Sequence, residues 1–173
     1  MNKLIFYALF ILSAIMVYLY CSPQLKMFGR PVWYSKKKLI SWELDGKDTS
    51  QQVFDIYSFT HFSSGILLYL ICKYLSFTDI NAFYITLILS IIFEIVENTP
   101  YIINKFRKNK EYKNYIGDSL ANITGDIISL VLGIYFTRKF PKIAPYYLFG
   151  SEILLNRYKA GIYDLTAGII KHI

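Results

Sequence analysis

Seven polar side chains, His61, Glu94, Glu97, Asn98, Asp118, Asn122 and Asp126, interrupt stretches that are otherwise apolar. An ionisable group inside lipid is costly unless it is paired or faces a polar cavity, so its presence points to function. Four carboxylates, one imidazole and two amides form a hard, oxygen-rich donor set. Such a set suits Mg²⁺ or Mn²⁺ better than structural zinc, where Cys and His dominate. In that reading Glu94, Glu97, Asp118 and Asp126 are metal ligands or acid–base groups, and His61 carries a proton. Arg107, with Lys105 and Lys108, could grip the remaining oxygens of a phosphate or pyrophosphate headgroup, and Asn98 and Asn122 are further substrate-binding candidates. Without a metal, one carboxylate would hold a proton through its neighbour's repulsion, which fits acid–base work or proton coupling equally well. The plainest alternative is that the groups hydrogen-bond one another and lock a helix bundle.

The spacing gathers these residues on helical faces. Glu94, Glu97 and Asn98 are three and four apart, and Asp118, Asn122 and Asp126 are each four apart, so each set shares a stripe. Interleaved with the second set are Gly125, Ser129 and Gly133, a small-residue face that lets another helix approach closely. His61 sits between Ser58 one turn before it and Gly65 one turn after it.

The elements that must carry them are expected to be membrane helices. With 173 residues, 54% hydrophobic and 18% aromatic, the chain is too apolar for an ordinary soluble domain and too short for two domains. It reads as one all-α, multi-pass membrane domain over 1–173. The expected spans are 4–21, 56–75, 80–103, 118–136 and 144–157, with a re-entrant or interfacial terminal helix over 160–171. Tyr18 and Tyr20 before Cys21 suit neither a small-residue cleavage site nor a lipoprotein box, so the first apolar run reads as an uncleaved helix. The loop from Ser22 to Asp55 carries Trp33 and Trp42 and suits an interfacial position. Pro100 would kink or end the third helix. Cys21 and Cys72 lack metal-ligand spacing and read as packed thiols.

The net charge of +7 is expected to reflect basic loops against anionic headgroups or cytosol, with membrane lipids as partners and no nucleic acid. Eleven basic residues in the loops of the polar-site face oppose five on the other, which would place that face in the cytoplasm and the amino terminus outside. A two-residue tail followed by Lys3 argues for the opposite orientation. Both remain open, as does the oligomeric state.

Three motifs carry a family resemblance. Asp55-Ile56-Tyr57-Ser58-Phe59-Thr60-His61 with Gly65, then Glu94-Ile95-Val96-Glu97-Asn98-Thr99-Pro100 leading to Arg107, then Tyr115-Ile116-Gly117-Asp118-Ser119-Leu120-Ala121-Asn122 with Asp126, together resemble an uncharacterised family of bacterial multi-pass membrane proteins, known as a domain of unknown function. The likeness covers about 55–138. The order His, Glu, a polar residue three on, Arg, then Asp and Asn four apart also resembles VanZ-like proteins, which implies the cell envelope and a bacterial inner-membrane location. The expected function is a membrane-embedded enzyme, a divalent-metal-dependent hydrolase or transferase acting on a phosphate-bearing lipid or envelope intermediate. An ion- or proton-coupled transport component, and a structural membrane subunit, are the alternatives.

Overall fold

The computed structural model describes residues 39–42, 49–108 and 113–164. The expected first span over 4–21 lies outside the described residues, as does most of the terminal helix over 160–171. The described residues are all-helical, with one isolated bridge between Ile40 and Phe54 beside the helices.

The first helix, α1 (Ile56–Tyr74), starts where Asp55 accepts hydrogen bonds from the Tyr57 and Ser58 amides while the Ser58 hydroxyl accepts from the Asp55 amide. This reciprocal arrangement satisfies amides that have no partner in the first helical turn. The second, α2 (Asp79–Glu97), is capped by Thr78 and carries Asp79 at its positive end.

The helix expected to run continuously over 80–103 is two. Asn98 closes α2, Thr99 is extended, and α3 (Pro100–Phe106) begins anew with Thr99 as its cap. Proline disfavours helical backbone at the residue before it and is well placed in the first turn of a new helix, so Pro100 both ends α2 and starts α3. The fourth helix, α4 (Leu120–Lys139), also differs from the expectation that Asp118 opens it. Ser119 accepts from the Asn122 amide as the cap, which leaves Asp118 in the preceding loop. The last described helix is α5 (Ala144–Arg157).

The small-residue stripe sets the packing of α1 on α4. A Cβ added at Gly65 would strike the Leu130 carbonyl, and one at Gly133 would strike the Phe62 carbonyl. Backbone therefore meets backbone along this seam. Gly125 serves a different neighbour: its missing Cβ makes room for the Val53 carbonyl from the segment before α1. Above the polar end, Tyr69, Cys72, Ala82, Leu130 and Ile134 form one apolar cluster and Leu87, Ile123 and Ile127 another. Cys72 is a buried free thiol, as its apolar setting implied.

Among the described residues, α2 and α4 are long and apolar enough to cross a membrane. In α4, 67% of the apolar window is buried inside the protein, against 28% in α2, so α2 is the one that turns a large apolar face outward. Ile88, Leu89, Ile92 and Val96 lie exposed on it. At 14 residues α5 is shorter than the roughly 20 that span a bilayer.

Candidate functional site

The site is assembled where the start of α1, the end of α2 and the start of α4 meet. His61 lies on the second turn of α1, with Nδ1 3.3 Å from Glu94 Oε1 on α2 and Nε2 3.8 Å from Asp126 Oδ2 on α4. The imidazole thus stands between two carboxylates from different helices. Phe93 meets the ring edge-on at 6.1 Å. Ser58, one turn before His61, donates from Oγ to Asp126 Oδ1 at 2.9 Å. One ligand atom from each of His61, Glu94 and Glu97 falls within 4.8 Å of the other two, and all three residues are buried. Opposed ligands in a Mg²⁺ octahedron are about 4.2 Å apart, twice the roughly 2.1 Å bond. Neighbouring ligands in the same octahedron are about 3.0 Å apart; His61 Nδ1 and Glu94 Oε1, at 3.3 Å, are near that spacing, and the remaining pairs would draw together around an ion.

A second network fixes the loops beside this triad. Asn98 Nδ2 donates to Asp118 Oδ2 at 2.7 Å, and its Oδ1 accepts from the Asp118 amide at 2.9 Å. Tyr115 Oη donates to the other Asp118 oxygen at 2.9 Å. Asn122 Nδ2 donates to the Gln52 carbonyl at 3.0 Å and to Asp55 Oδ2 at 3.3 Å. The amides assigned to substrate are thereby engaged in joining the segment before α1 to the ends of α2 and α4. Gly117 adopts φ 89°, a left-handed conformation easy only for glycine, in the turn that delivers Asp118 to this network.

The sequence grouping holds for His61, Glu94, Glu97, Asn98, Asn122 and Asp126, all buried at one end of the bundle, and Asp118 joins them from its loop. The basic residues Lys105 and Arg107 belong to the short α3 and its C-cap. Lys105 is buried on α3, with Nζ 5.6 Å from the Tyr101 ring centre. Arg107 is the exposed C-cap of α3, and no ion pair among the described residues ties it to the carboxylates.

Asp55 is the member that sequence reasoning passed over. It is 1% exposed, at the end of a segment, 49–55, that is also buried at Thr49, Ser50, Gln51 and Gln52. Ser119 Oγ donates to the Gln51 carbonyl and Gln51 Nε2 to the Gly117 carbonyl, so this segment is stitched into the site. The signal was present in the capping spacing of Asp55 and Ser58, which marks a helix start but not a buried acid.

Burial, and after it the charge of Asp118, pushes the Asp55 carboxyl up to about 6 from an ordinary 3.8, against the pull of the amide bonds from Ser58 and Tyr57. Removing an ion from water costs several kcal/mol after relaxation, so a group of buried acids requires protons or a cation among them. Five carboxylates, those of Asp55, Glu94, Glu97, Asp118 and Asp126, are buried here. A polar cavity of about 30 Å³ opens among His61, Glu97, Tyr115, Asp118, Asn122 and Asp126. About 10–15 Å³ suffices for one water on this measure, so the cavity has room for an ion with a water.

Helices that converge a histidine and several carboxylates on one small polar cavity define the class: an all-helical protein with a buried hard-donor cluster. The chain belongs to the family described as "Protein of unknown function (DUF2585)", whose model matches residues 25–164. Its relatives include a UPF0314 protein of Paracoccus denitrificans, 32% identical over 108 residues, 60% of this chain and 55% of the relative. A UPF0314 protein of Novosphingobium aromaticivorans is 30% identical over 105 residues, 57% of this chain and 53% of the relative. The chain spans about half the length of the curated relatives it matches. No solved structure matches.

Proposed function

We propose that this protein is a multi-pass membrane enzyme that uses a divalent cation, Mg²⁺ or Mn²⁺, to cleave or transfer a phosphate-bearing headgroup of a lipid or cell-envelope intermediate. The observation that carries the reading is the convergence of His61, Glu94 and Glu97 donor atoms within 4.8 Å beside a polar cavity. Among the ligands, the imidazole has a carboxylate at each nitrogen. With Nδ1 toward the ion beside Glu94, Nε2 lies 3.8 Å from Asp126, and closing that gap to a hydrogen bond would give the carboxylate–histidine–metal arrangement that fixes a ligand's tautomer and raises its basicity.

The chemistry follows from those positions. His61, Glu94 and Glu97 would hold the cation, which would supply Lewis-acid polarisation of a phosphoryl oxygen and a lowered pKa for a water in the cavity. Asp126, on the cavity wall, would take the proton of the attacking water and return it to the oxygen of the breaking P–O bond as that group leaves. Asp118 and Asn98 hold the cavity wall in shape, and Asp55 with Asn122 anchors its floor. The headgroup sits at the cavity mouth, since about 30 Å³ holds no phosphate ester within. The outward apolar face of α2 and the two long apolar helices support a membrane setting, with the remaining spans completing the bundle. The residue order shared with VanZ-like proteins favours the bacterial inner membrane and the envelope.

The test is phosphate or headgroup release from vesicles of phosphate-bearing lipids by purified protein with Mg²⁺ or Mn²⁺. Release that needs the cation and is lost in Glu97→Gln supports the enzyme. A second reading, a cation- or proton-coupled transport component, draws on the Glu94–His61–Asp126 chain of alternating acid and imidazole. It is favoured if the same vesicles show ion flux and no turnover.

A further inference from the structure

His61 belongs to two cavities. Its polar side faces the acids, and it also lines an apolar cavity of about 350 Å³ between α1 and α2. Leu67 and Leu68 of α1, Leu89 and Phe93 of α2 and Leu130 of α4 supply most of that wall. Leu89 is exposed at the rim, on the α2 face that turns outward, so the cavity adjoins the surface a bilayer would cover. Three hydroxyl residues, Thr60, Ser64 and Ser90, also line it, and Ser90 differs from Thr60, whose hydroxyl donates to the Ala160 carbonyl. Ser90 is 4% exposed, and its hydroxyl has no hydrogen-bond partner. One turn earlier on the same face of α2, Thr86 Oγ1 is buried in the same condition.

A buried hydroxyl without a partner costs on the order of 1–3 kcal/mol, so such a group calls for a partner that the described residues do not supply. In helices, Ser and Thr ordinarily satisfy themselves on the carbonyl four residues back, as Thr124 does on Leu120 and Thr137 on Gly133. Ser90 does not. A hydroxyl donor on the wall of an apolar cavity fits an occupant that is a hydrocarbon chain carrying one acceptor near its polar end.

We infer that this cavity holds the acyl chain of an ester-linked, phosphate-bearing lipid, with Ser90 Oγ donating to the ester carbonyl and the phosphate end directed past His61 to the acid cluster. This deepens the proposed function and rests on it for the position of the headgroup. The ester carbonyl distinguishes this occupant from an isoprenoid chain, which presents no acceptor along its hydrocarbon, and from an ether-linked chain, whose ether oxygen is the weaker acceptor for Ser90. Because His61 lies between tail and cation site, the lipid would be bound with its phosphate end next to the reacting groups.

The experiment uses the full chain purified in detergent and stripped of lipid, titrated by native mass spectrometry with dioleoyl phosphatidic acid, its di-ether counterpart and farnesyl phosphate. Mn²⁺ binding is followed separately by electron paramagnetic resonance. The expected result is preference for the diester over the diether by about five-fold, the worth of one hydrogen bond of ordinary net strength. Ser90→Ala, a nearly isosteric change, should remove that preference, and Ser64→Trp, which fills the cavity, should abolish retention of all three lipids. Mn²⁺ binding should be unchanged in both variants. Equal retention of diester and diether by the wild type, a preference for farnesyl phosphate, or a preference that survives Ser90→Ala would overturn the inference. Lipid selectivity of the expected kind without any Mn²⁺ binding would uphold this cavity assignment while overturning the metal reading of the adjoining site.

Discussion

Asn98 and Asp118 hold each other twice, the Asn98 amide nitrogen donating to the Asp118 carboxylate at 2.7 Å and the Asp118 backbone amide donating to the Asn98 carbonyl oxygen at 2.9 Å. This pair ties the C-cap of α2 to the loop before α4, and both residues are buried. Breaking it leaves a buried amide and a buried carboxylate each short of a partner. A buried hydrogen bond to a charged group is worth about 1.5–3 kcal/mol. Asn98→Ala is therefore expected to destabilise the protein by about 3 kcal/mol in reversible unfolding from detergent micelles, and a loss below about 0.5 kcal/mol would show that the clasp contributes little.

The glycines separate close approach from helix propensity. Gly133 has no room for a methyl group because the Phe62 carbonyl occupies its place, whereas Gly150 in α5 faces open space. Gly133→Ala is expected to cost about 2 kcal/mol or more through displaced backbone. Gly150→Ala should gain up to about 1 kcal/mol from helix propensity alone. Parallel thermal melts of the two variants check the contrast, and equal shifts would contradict it.

Asp55 gives the site a pH signature in metal-free protein. Its folded-state carboxyl is raised to about 6 from 3.8, chiefly by burial and then by Asp118, so the fold favours the protonated form. The stability tied to this group is fully present below the unfolded value and is lost as pH rises through about 6. The melting temperature without divalent cation should thus fall between about pH 4 and pH 6 and level off above that. Asp55→Asn retains an oxygen to cap Tyr57 and Ser58 while removing the charge, and should flatten that fall. An identical pH slope in the variant would assign the effect to other groups.

The sequence made His61, Glu94, Glu97 and Asp126 legible because each is individually costly in an apolar stretch, and spacing of three or four put them on shared faces. Their meeting across helices is what the structure adds. Asp118 was placed on the α4 stripe because it is four residues from Asn122, yet the helix begins after Ser119, whose cap outweighs the periodicity. Asp55 was hidden for a physical reason: an acid at the end of a polar loop is ordinary, and only the burial of 49–55 under α4 makes it costly. Gly125 announced a close approach, but periodicity cannot say that the neighbour is the Val53 carbonyl rather than a helix. Arg107 was read as following the third helix directly, whereas Pro100 restarts the chain as α3 and leaves that residue as its exposed C-cap.

The central claim is that His61, Glu94 and Glu97 hold a divalent cation. Titration of the purified full chain with Mn²⁺, followed by electron paramagnetic resonance, tests it most directly. The account predicts one tightly bound Mn²⁺ per chain, displaced by Mg²⁺, with affinity reduced by about ten-fold or more in Glu97→Gln and unchanged in Gly150→Ala. Failure of the folded wild-type protein to bind Mn²⁺, or equal binding by Glu97→Gln, would contradict it.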